Sequence, residues 1–180
     1  MDGKKTLPIA LAALMVLSLV FGSGWALAGE TGAVQVKVII PEVLRLVTAA
    51  DPLVFDLGRG DSGETYPPAR FPAYYSPQGT ASSGIPVRVF SNVDRPWTVT
   101  MVMESPLIGP TDVIPADRLE WSLDRTRWEG MNTSPFQIMT GGRGKGWQEW
   151  LVHFRLRVEG DEPGADQPYQ TNIVFTLAGS

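Results

Sequence analysis

Apolar and polar residues alternate along most of this chain, which is the pattern of β-strands that bury one face. The longest alternating segment is 147–158. Its predicted core-facing residues are Trp150, Val152, Phe154, Leu156 and Val158, and its predicted solvent-facing residues are Glu149, His153, Arg155 and Arg157. The other segments predicted to form strands are 34–40, 44–47, 53–57, 85–91, 97–104, 119–123, 136–139 and 169–177.

No segment of useful length shows the 3.6-residue period of an amphipathic helix, and 15 prolines and 19 glycines punctuate the chain. Eight or nine short strands in a chain of this length are typical of an antiparallel β-sandwich or a small barrel. Unequal strand lengths and long irregular connections favour the sandwich. We therefore expect an all-β fold, a single antiparallel β-sandwich of about eight or nine strands.

The beginning of the chain departs from this alternation. Lys4 and Lys5 precede an almost unbroken apolar run over residues 7–21, and residues 26–28 have the small-x-small pattern of a signal-peptidase site. The run is shorter than the roughly 20 apolar residues that a membrane-spanning helix needs. We therefore predict that residues 1–28 are a cleaved secretory signal peptide, followed by one secreted domain at 29–180 with no transmembrane anchor.

Charge and cysteine content narrow the function classes. The signal peptide would remove Asp2, Lys4 and Lys5, so the net charge of −4 would become −5 in the mature domain. An acidic chain without clustered Lys and Arg is not expected to bind nucleic acid or anionic lipid. Because the chain has no cysteine and one histidine, His153, it offers neither disulfides nor the donors of a zinc site.

One short motif resembles a catalytic site but lacks its accompanying residues. Residues 60–63 read Gly-Asp-Ser-Gly, the tetrapeptide around the nucleophile of trypsin-like proteases. A serine nucleophile needs a histidine base that a carboxylate orients, and His153 is predicted in mid-strand, facing outward. The acidic residues between 51 and 64 also lack the tight spacing of a calcium loop. We expect no enzyme activity, no catalytic residues, no cofactor and no metal.

The 27-residue connection 58–84 is too long for a hairpin loop and is rich in Gly, Pro, Ser and Tyr. We favour a crossover between the two sheets that a few buried rings hold in place. The alternative is a binding surface of exposed rings, with Tyr66, Tyr74 and Tyr75 as its members. Trp128 and Trp147 lie at predicted turns, and they are the tryptophans most suited to stack on sugar rings.

Several features of the last third of the chain occur together in one group of proteins. A Leu-Glu-Trp-Ser-Leu strand at 119–123 precedes Trp128, and Gly-Gly-Arg-Gly at 141–144 precedes the long alternating strand. An Asp-Glu-Pro-Gly turn at 161–164 then precedes the closing strand, which opens with Tyr169. In this arrangement the chain resembles exported bacterial surface proteins with immunoglobulin-like sandwiches, such as fimbrial, spore-coat-U-like and WxL-type domains. The resemblance implies an immunoglobulin-like β-sandwich on the outside of a bacterium.

We expect a non-enzymatic structural or adhesive protein of the cell surface, which assembles with itself or with other surface proteins by pairing edge strands. The strands next to the two mature termini are the candidates for exchange, and pairing of both within their own sandwich is the alternative. The candidate inserted residues are Val34, Val36, Val38 and Ile40 in the first strand, or Ile173, Phe175 and Leu177 in the last. The alternative function is a secreted module that binds a glycan or a cell-wall component, with Tyr66, Tyr74, Tyr75, Trp128 and Trp147 as contact residues.

Overall fold

The structure is a computed structural model that describes residues 35–48, 52–59, 64–142, 144 and 146–179. The chain divides into two compact units, Met1–Ile39 and Ile40–Ser180. The described residues of the first unit form neither helix nor strand, and all the strands belong to the second. The predicted signal peptide and the predicted boundary after residue 28 lie outside the described residues.

The described chain is all-β, as predicted, and contains eleven strands, three short 3-10 helices and no α-helix. The strands are β1 (Leu44–Thr48), β2 (Ala73–Tyr75), β3 (Ile85–Ser91), β4 (Trp97–Met103), β5 (Leu107–Ile108), β6 (Val113–Ile114), β7 (Leu119–Ser122), β8 (Glu129–Gly130), β9 (Phe136–Gly141), β10 (Trp147–Val158) and β11 (Ile173–Gly179). The 3-10 helices are Leu57–Arg59, Gly79–Ser83 and Ala116–Arg118. No helix within this described part is long and apolar enough to cross a membrane.

Six strands form the larger sheet, in the order β1-β3-β10-β7-β8, with β2 also paired to β10. β10 is 12 residues long and organises this sheet. It pairs antiparallel with β3 over residues 147–152, with β7 over 153–156 and with β2 over 156–158. Side chains of alternate β10 residues therefore follow one continuous line along the outer face of the sheet.

The second sheet has three strands, in the order β11-β4-β9, and all its pairs are antiparallel. β11 pairs with β4 over seven consecutive residues without a register shift. The β4–β9 pair has a register shift between Val99 and Thr100. β5 and β6 form a small separate hairpin, which is bridged to Gln170 through Ile108.

The core lies between the two larger sheets. Strict alternation buries every second residue of β3 and β4, and the four inward residues of β4 have no exposed surface. These four are Trp97, Val99, Met101 and Met103. Trp97 packs edge-on against Trp150 of β10, with ring centroids 5.8 Å apart, and its Nε1 donates a 2.8 Å hydrogen bond to the carbonyl of Gly142. Each fully buried side chain of this kind contributes roughly 1.5–3 kcal/mol of stabilisation.

Two predicted strands are absent from the described residues. Residues 35–40 form no strand. At 52–56 the carbonyl of Val54 accepts a hydrogen bond from the amide of Gln78, but no ladder forms. The predicted crossover between sheets at 58–84 is also wrong. This connection joins β1 to β3, which pair with each other, and it adds β2 to the same sheet.

Candidate functional site

The most exposed apolar segment in the described chain directly precedes the sandwich. Val36, Val38, Ile39 and Ile40 have 73–79% of their surface exposed. In an extended strand, Val36, Val38 and Ile40 would share one face, while Gln35 and Lys37 would share the other. Large apolar side chains this exposed and this close together mark an interaction surface more often than a chance arrangement.

Asn92 fixes the point at which this segment leaves the sandwich. Its side-chain oxygen accepts a hydrogen bond from the amide of Val43, and its side-chain nitrogen donates to the carbonyl of Pro41 at 2.8 Å. The amide of Asn92 in turn donates to the carbonyl of Val43 at 3.1 Å. Backbone groups at 41–43 are therefore held by side-chain and main-chain bonds, and the exposed segment starts from an anchored position.

The outer edge of β11 is the longest regular edge of the second sheet. Within the described residues, no strand pairs with it. The inward side chains of β11, Ile173, Phe175 and Leu177, pack against the core but are only partly buried, in contrast to those of β4. The strand proposed for exchange at the C-terminal end therefore lies in its own sandwich, paired with β4.

Part of β1 lies next to this edge. Gly179, at the end of β11, lies against the side chain of Leu44 at the start of β1, so the two sheet edges meet on one side of the sandwich. Leu44 and Leu46 are also only partly buried and contact the core. Apolar side chains of both strands are therefore only partly covered on this side, so apolar surface remains accessible there. We call the unpaired side of β11, residues 173–179, together with the adjacent Leu44 and Leu46 of β1, the β11 edge.

A second feature lies on the outer face of the larger sheet. The guanidinium of Arg155, on β10, lies 4.0 Å from the ring centroid of Tyr74 and 4.3 Å from that of Trp128. Its Nε and Nη2 each lie 2.6 Å from Oε2 of Glu120, the cross-strand neighbour on β7. The carboxylate of Glu120 orients the guanidinium, and both rings lie within cation–π distance of it, so the four side chains form one cluster.

The same β10 face carries another aromatic group at its opposite end. Trp147 is 43% exposed, and its ring lies 5.1 Å from the guanidinium of Arg88 and 5.6 Å from the ring of Phe90. Arg88 also forms a 3.2 Å ion pair with Glu149. Arg88 and Phe90 are cross-strand neighbours of Glu149 and Trp147, which explains why the four side chains meet on one face.

The turn between β7 and β8 contacts the middle of this face through a hydrogen bond to His153. Oδ1 of Asp124 accepts hydrogen bonds from the amides of Thr126 and Arg127, and these bonds hold the pKa of the Asp124 carboxyl well below its usual range. Arg125 adopts a φ of 61° in this turn, and its Nε donates a 3.1 Å hydrogen bond to Nδ1 of His153. Burial, followed by the charge of Arg125, lowers the pKa of His153.

The five predicted binding rings have different positions. Tyr74 and Trp128 both contact Arg155, and Trp147 lies on the same face, whereas Tyr66 is 45% exposed and belongs to neither aromatic group. Tyr75 is fully buried with Ala73 and Val158, so its assignment to a binding surface is wrong; its inward position in β2 explains the error. Burial, with smaller contributions from Glu64 and Tyr66, raises the pKa of Tyr75.

Sequence reasoning missed Arg88 and Arg155 as members of the aromatic groups, since it is the cross-strand register that places them beside the rings.

Among the described residues, no group of three or more His, Asp or Glu side chains is arranged to hold a metal ion. The buried Arg118 instead forms ion pairs with Glu159, Asp161 and Glu162, with nitrogen–oxygen distances of 2.7–3.4 Å.

No protein-family model matches the chain, and no curated protein matches it significantly. The features of the described chain that bear on function are therefore the exposed segment 35–40, the β11 edge and the outer face of β10.

Proposed function

We propose that this protein is a non-enzymatic, exported structural subunit of a bacterial surface assembly, in which copies join by strand pairing. The segment 35–40 of one copy adds as a strand to the β11 edge of another. The observation that carries the proposal is the combination of a highly exposed apolar segment with an unpaired edge whose inward side chains are only partly buried.

Strand addition would cover the exposed segment 35–40 and the β11 edge at the same time. The backbone of the incoming segment would pair with β11, whose outer amide and carbonyl groups have no strand partner in the described residues. Val36, Val38 and Ile40 would face the side on which β11 and β1 meet, where they would cover the partly buried Phe175, Leu177 and their neighbours. Burial of each such side chain stabilises a complex by roughly 1.5–3 kcal/mol before the cost of ordering the segment.

The sequence around the segment is compatible with this role. Gln35 and Lys37 alternate with the valines and would point to solvent in the added strand. The predicted signal peptide supports export, and the resemblance to immunoglobulin-like surface domains supports a structural role. Asn92 holds the backbone at Pro41 and Val43, directly after the segment, so strand addition by 35–40 does not require the sandwich to rearrange there.

The size of the purified exported protein tests the proposal. We expect multimers by light scattering after size-exclusion chromatography, with their fraction rising with protein concentration. Val36→Asn with Val38→Asn should shift the population to monomers, because amide side chains would be buried without partners. Gln35→Asn with Lys37→Asn is the matched control, since these residues occupy the opposite face of the same strand, and it should leave multimers intact.

Two results would overturn strand addition. A wild-type protein that stays monomeric at all accessible concentrations would contradict it. Equal loss of multimers in both double variants would show that the segment acts through general polarity and not through one inserted face.

A further inference from the structure

We infer that the outer face of β10 is a binding site for an uncharged linear polysaccharide, lying on a different sheet from the β11 edge. The site runs from Trp147 at one end of the strand to the Tyr74–Arg155–Trp128 group at the other. Trp147 and Arg155 are eight residues apart on one continuous strand, which corresponds to about 26 Å. Only a ligand of several sugar rings can contact both ends.

Aromatic rings at both ends supply stacking surfaces. Trp147 and Tyr74 are 43% and 42% exposed, and Trp128 is partly exposed beside Arg155. Each ring is fixed by neighbours: Trp147 by Arg88 and Phe90, and Trp128 by a 3.1 Å hydrogen bond from its Nε1 to the carbonyl of Arg125. Rigid, half-exposed rings lose little conformational entropy when a sugar face packs against them.

Polar groups and a shallow groove occupy the middle of the face. The groove has a volume of about 310 Å³ and lies between the 3-10 helix Gly79–Ser83 and β10. Its lining includes Ser83, Glu149 and Leu151, and Leu151 is 43% exposed. Hydroxyl and carboxylate groups above an apolar floor match a sugar ring, which presents hydroxyls at its edge and C–H groups on its faces.

Charge complementarity favours an uncharged ligand. Arg88 pairs with Glu149, Arg155 pairs with Glu120, and Arg157 pairs with Asp117 at 3.0 Å. The guanidinium groups of these three arginines are thus neutralised by carboxylates, and they have little net charge to offer an anionic polymer. Arg125 is the exception, because it donates to Nδ1 of His153 and to the carbonyls of Ser82 and Ser83. Arg155 can still donate a hydrogen bond to a sugar hydroxyl, because its Nη1 has no hydrogen-bond partner within the described residues.

Calorimetric titration with β-1,4-linked hexamers of N-acetylglucosamine and of glucose tests the site on the intact exported protein. We expect at least one hexamer to bind and its dimer to bind much more weakly, because a dimer reaches only one end. Trp147→Ala and Trp128→Ala should each weaken hexamer affinity by about tenfold. Tyr66→Ala is the matched control, as it removes an exposed ring that belongs to neither aromatic group of the β10 face, and it should bind like the wild type.

The controls separate this inference from folding and from assembly. Unchanged thermal unfolding midpoints will show that the variants are folded, and hexamer binding should persist in the Val36→Asn, Val38→Asn protein. Absence of binding by both hexamers would overturn the inference. Equal binding of dimer and hexamer, or equal weakening by Tyr66→Ala, would likewise contradict a site that spans the two ends of β10.

Discussion

At the scale of single residues, the structure depends on guanidinium groups placed against aromatic rings. The guanidinium of Arg155 lies over the rings of Tyr74 and Trp128, and that of Arg88 lies over the ring of Trp147. Contacts of this type contribute roughly 0.5–2 kcal/mol each, more where the pair is desolvated. Because Glu120 is largely buried beneath Arg155, the ion pair also fixes the orientation of both rings. A lysine at 155 would keep the charge but lose the planar group that both rings contact.

The neighbouring His153 makes stability depend on pH. Its pKa is lowered in the folded protein, so the unfolded chain binds a proton first as the pH falls through its ordinary value of about 6.5. The contribution of His153 to stability is therefore complete above that value and is lost as the pH falls toward the lower folded pKa. We expect the free energy of unfolding from urea titration to decrease between pH 7 and pH 5.5.

His153→Gln is the variant that isolates this effect. Glutamine can still accept the hydrogen bond of Arg125 but does not titrate, so the decrease over this pH range should be smaller than in the wild type. An identical pH dependence in the two proteins would show that other groups are responsible.

At the scale of elements, β9 approaches the buried Trp97 of β4 closely at Gly141. A Cβ at Gly141 would clash with Cζ2 of Trp97, whereas a Cβ at Gly142 would meet no atom within 4 Å. We expect Gly141→Ala to lower the free energy of unfolding by about 1–3 kcal/mol, because the indole cannot move without disturbing the core. Gly142→Ala, the adjacent control, should stay within about 0.5 kcal/mol of the wild type in the same urea titration. Comparable stability of both variants would mean that the indole side of the core is loosely packed.

Alternation predicted the long strands well because their two faces differ in environment. β3 and β10 have the predicted bounds, and the predicted inward residues Val152, Phe154 and Val158 are buried. Alternation does not reveal whether a partner is present, so 34–40 was predicted as a strand although its described residues are unpaired. Strands of two or three residues, such as β2, are too short for a period to be recognised and depend on neighbours to form.

The candidate site was predictable only in part. Trp147 is exposed and Trp128 is partly exposed, in line with their positions at predicted turns, but nothing local distinguishes Tyr74 from Tyr75, since adjacent residues in a strand face opposite ways. The assignment depends on how β2 pairs with β10. The same is true of Arg88 and Arg155, because cross-strand register decides which ring a guanidinium meets.

At the scale of the whole molecule, the sheet edges differ in their protection. β8 and β2 are only two and three residues long, and β9 pairs with β4 through an irregular register, features that discourage further pairing. β11 is seven residues long and regular, and its outward residues Val174, Thr176 and Ala178 carry no charge. β1, the other edge of the larger sheet, is five residues long and carries the exposed Arg45. β11 is thus the longest edge and lacks the usual protection, and the exposed apolar segment 35–40 is of similar length. Without cysteine, a disulfide cannot close that edge covalently.

The absence of cysteine also gives a direct test of which edge is used. We expect Lys37→Cys, combined in turn with Val174→Cys, Thr176→Cys or Ala178→Cys, to give disulfide-linked multimers on non-reducing gels in at least one register. Residue 37 would face outward in the added strand, beside the outward residues of β11. Lys37→Cys with Thr100→Cys is the matched control, because Thr100 pairs with Thr176 on the far side of β11. Two strand spacings, about 9.5 Å, exceed the reach of a disulfide, so this protein should stay uncrosslinked. A ladder of equal intensity in the control, or none in the three test proteins, would place assembly at a different edge.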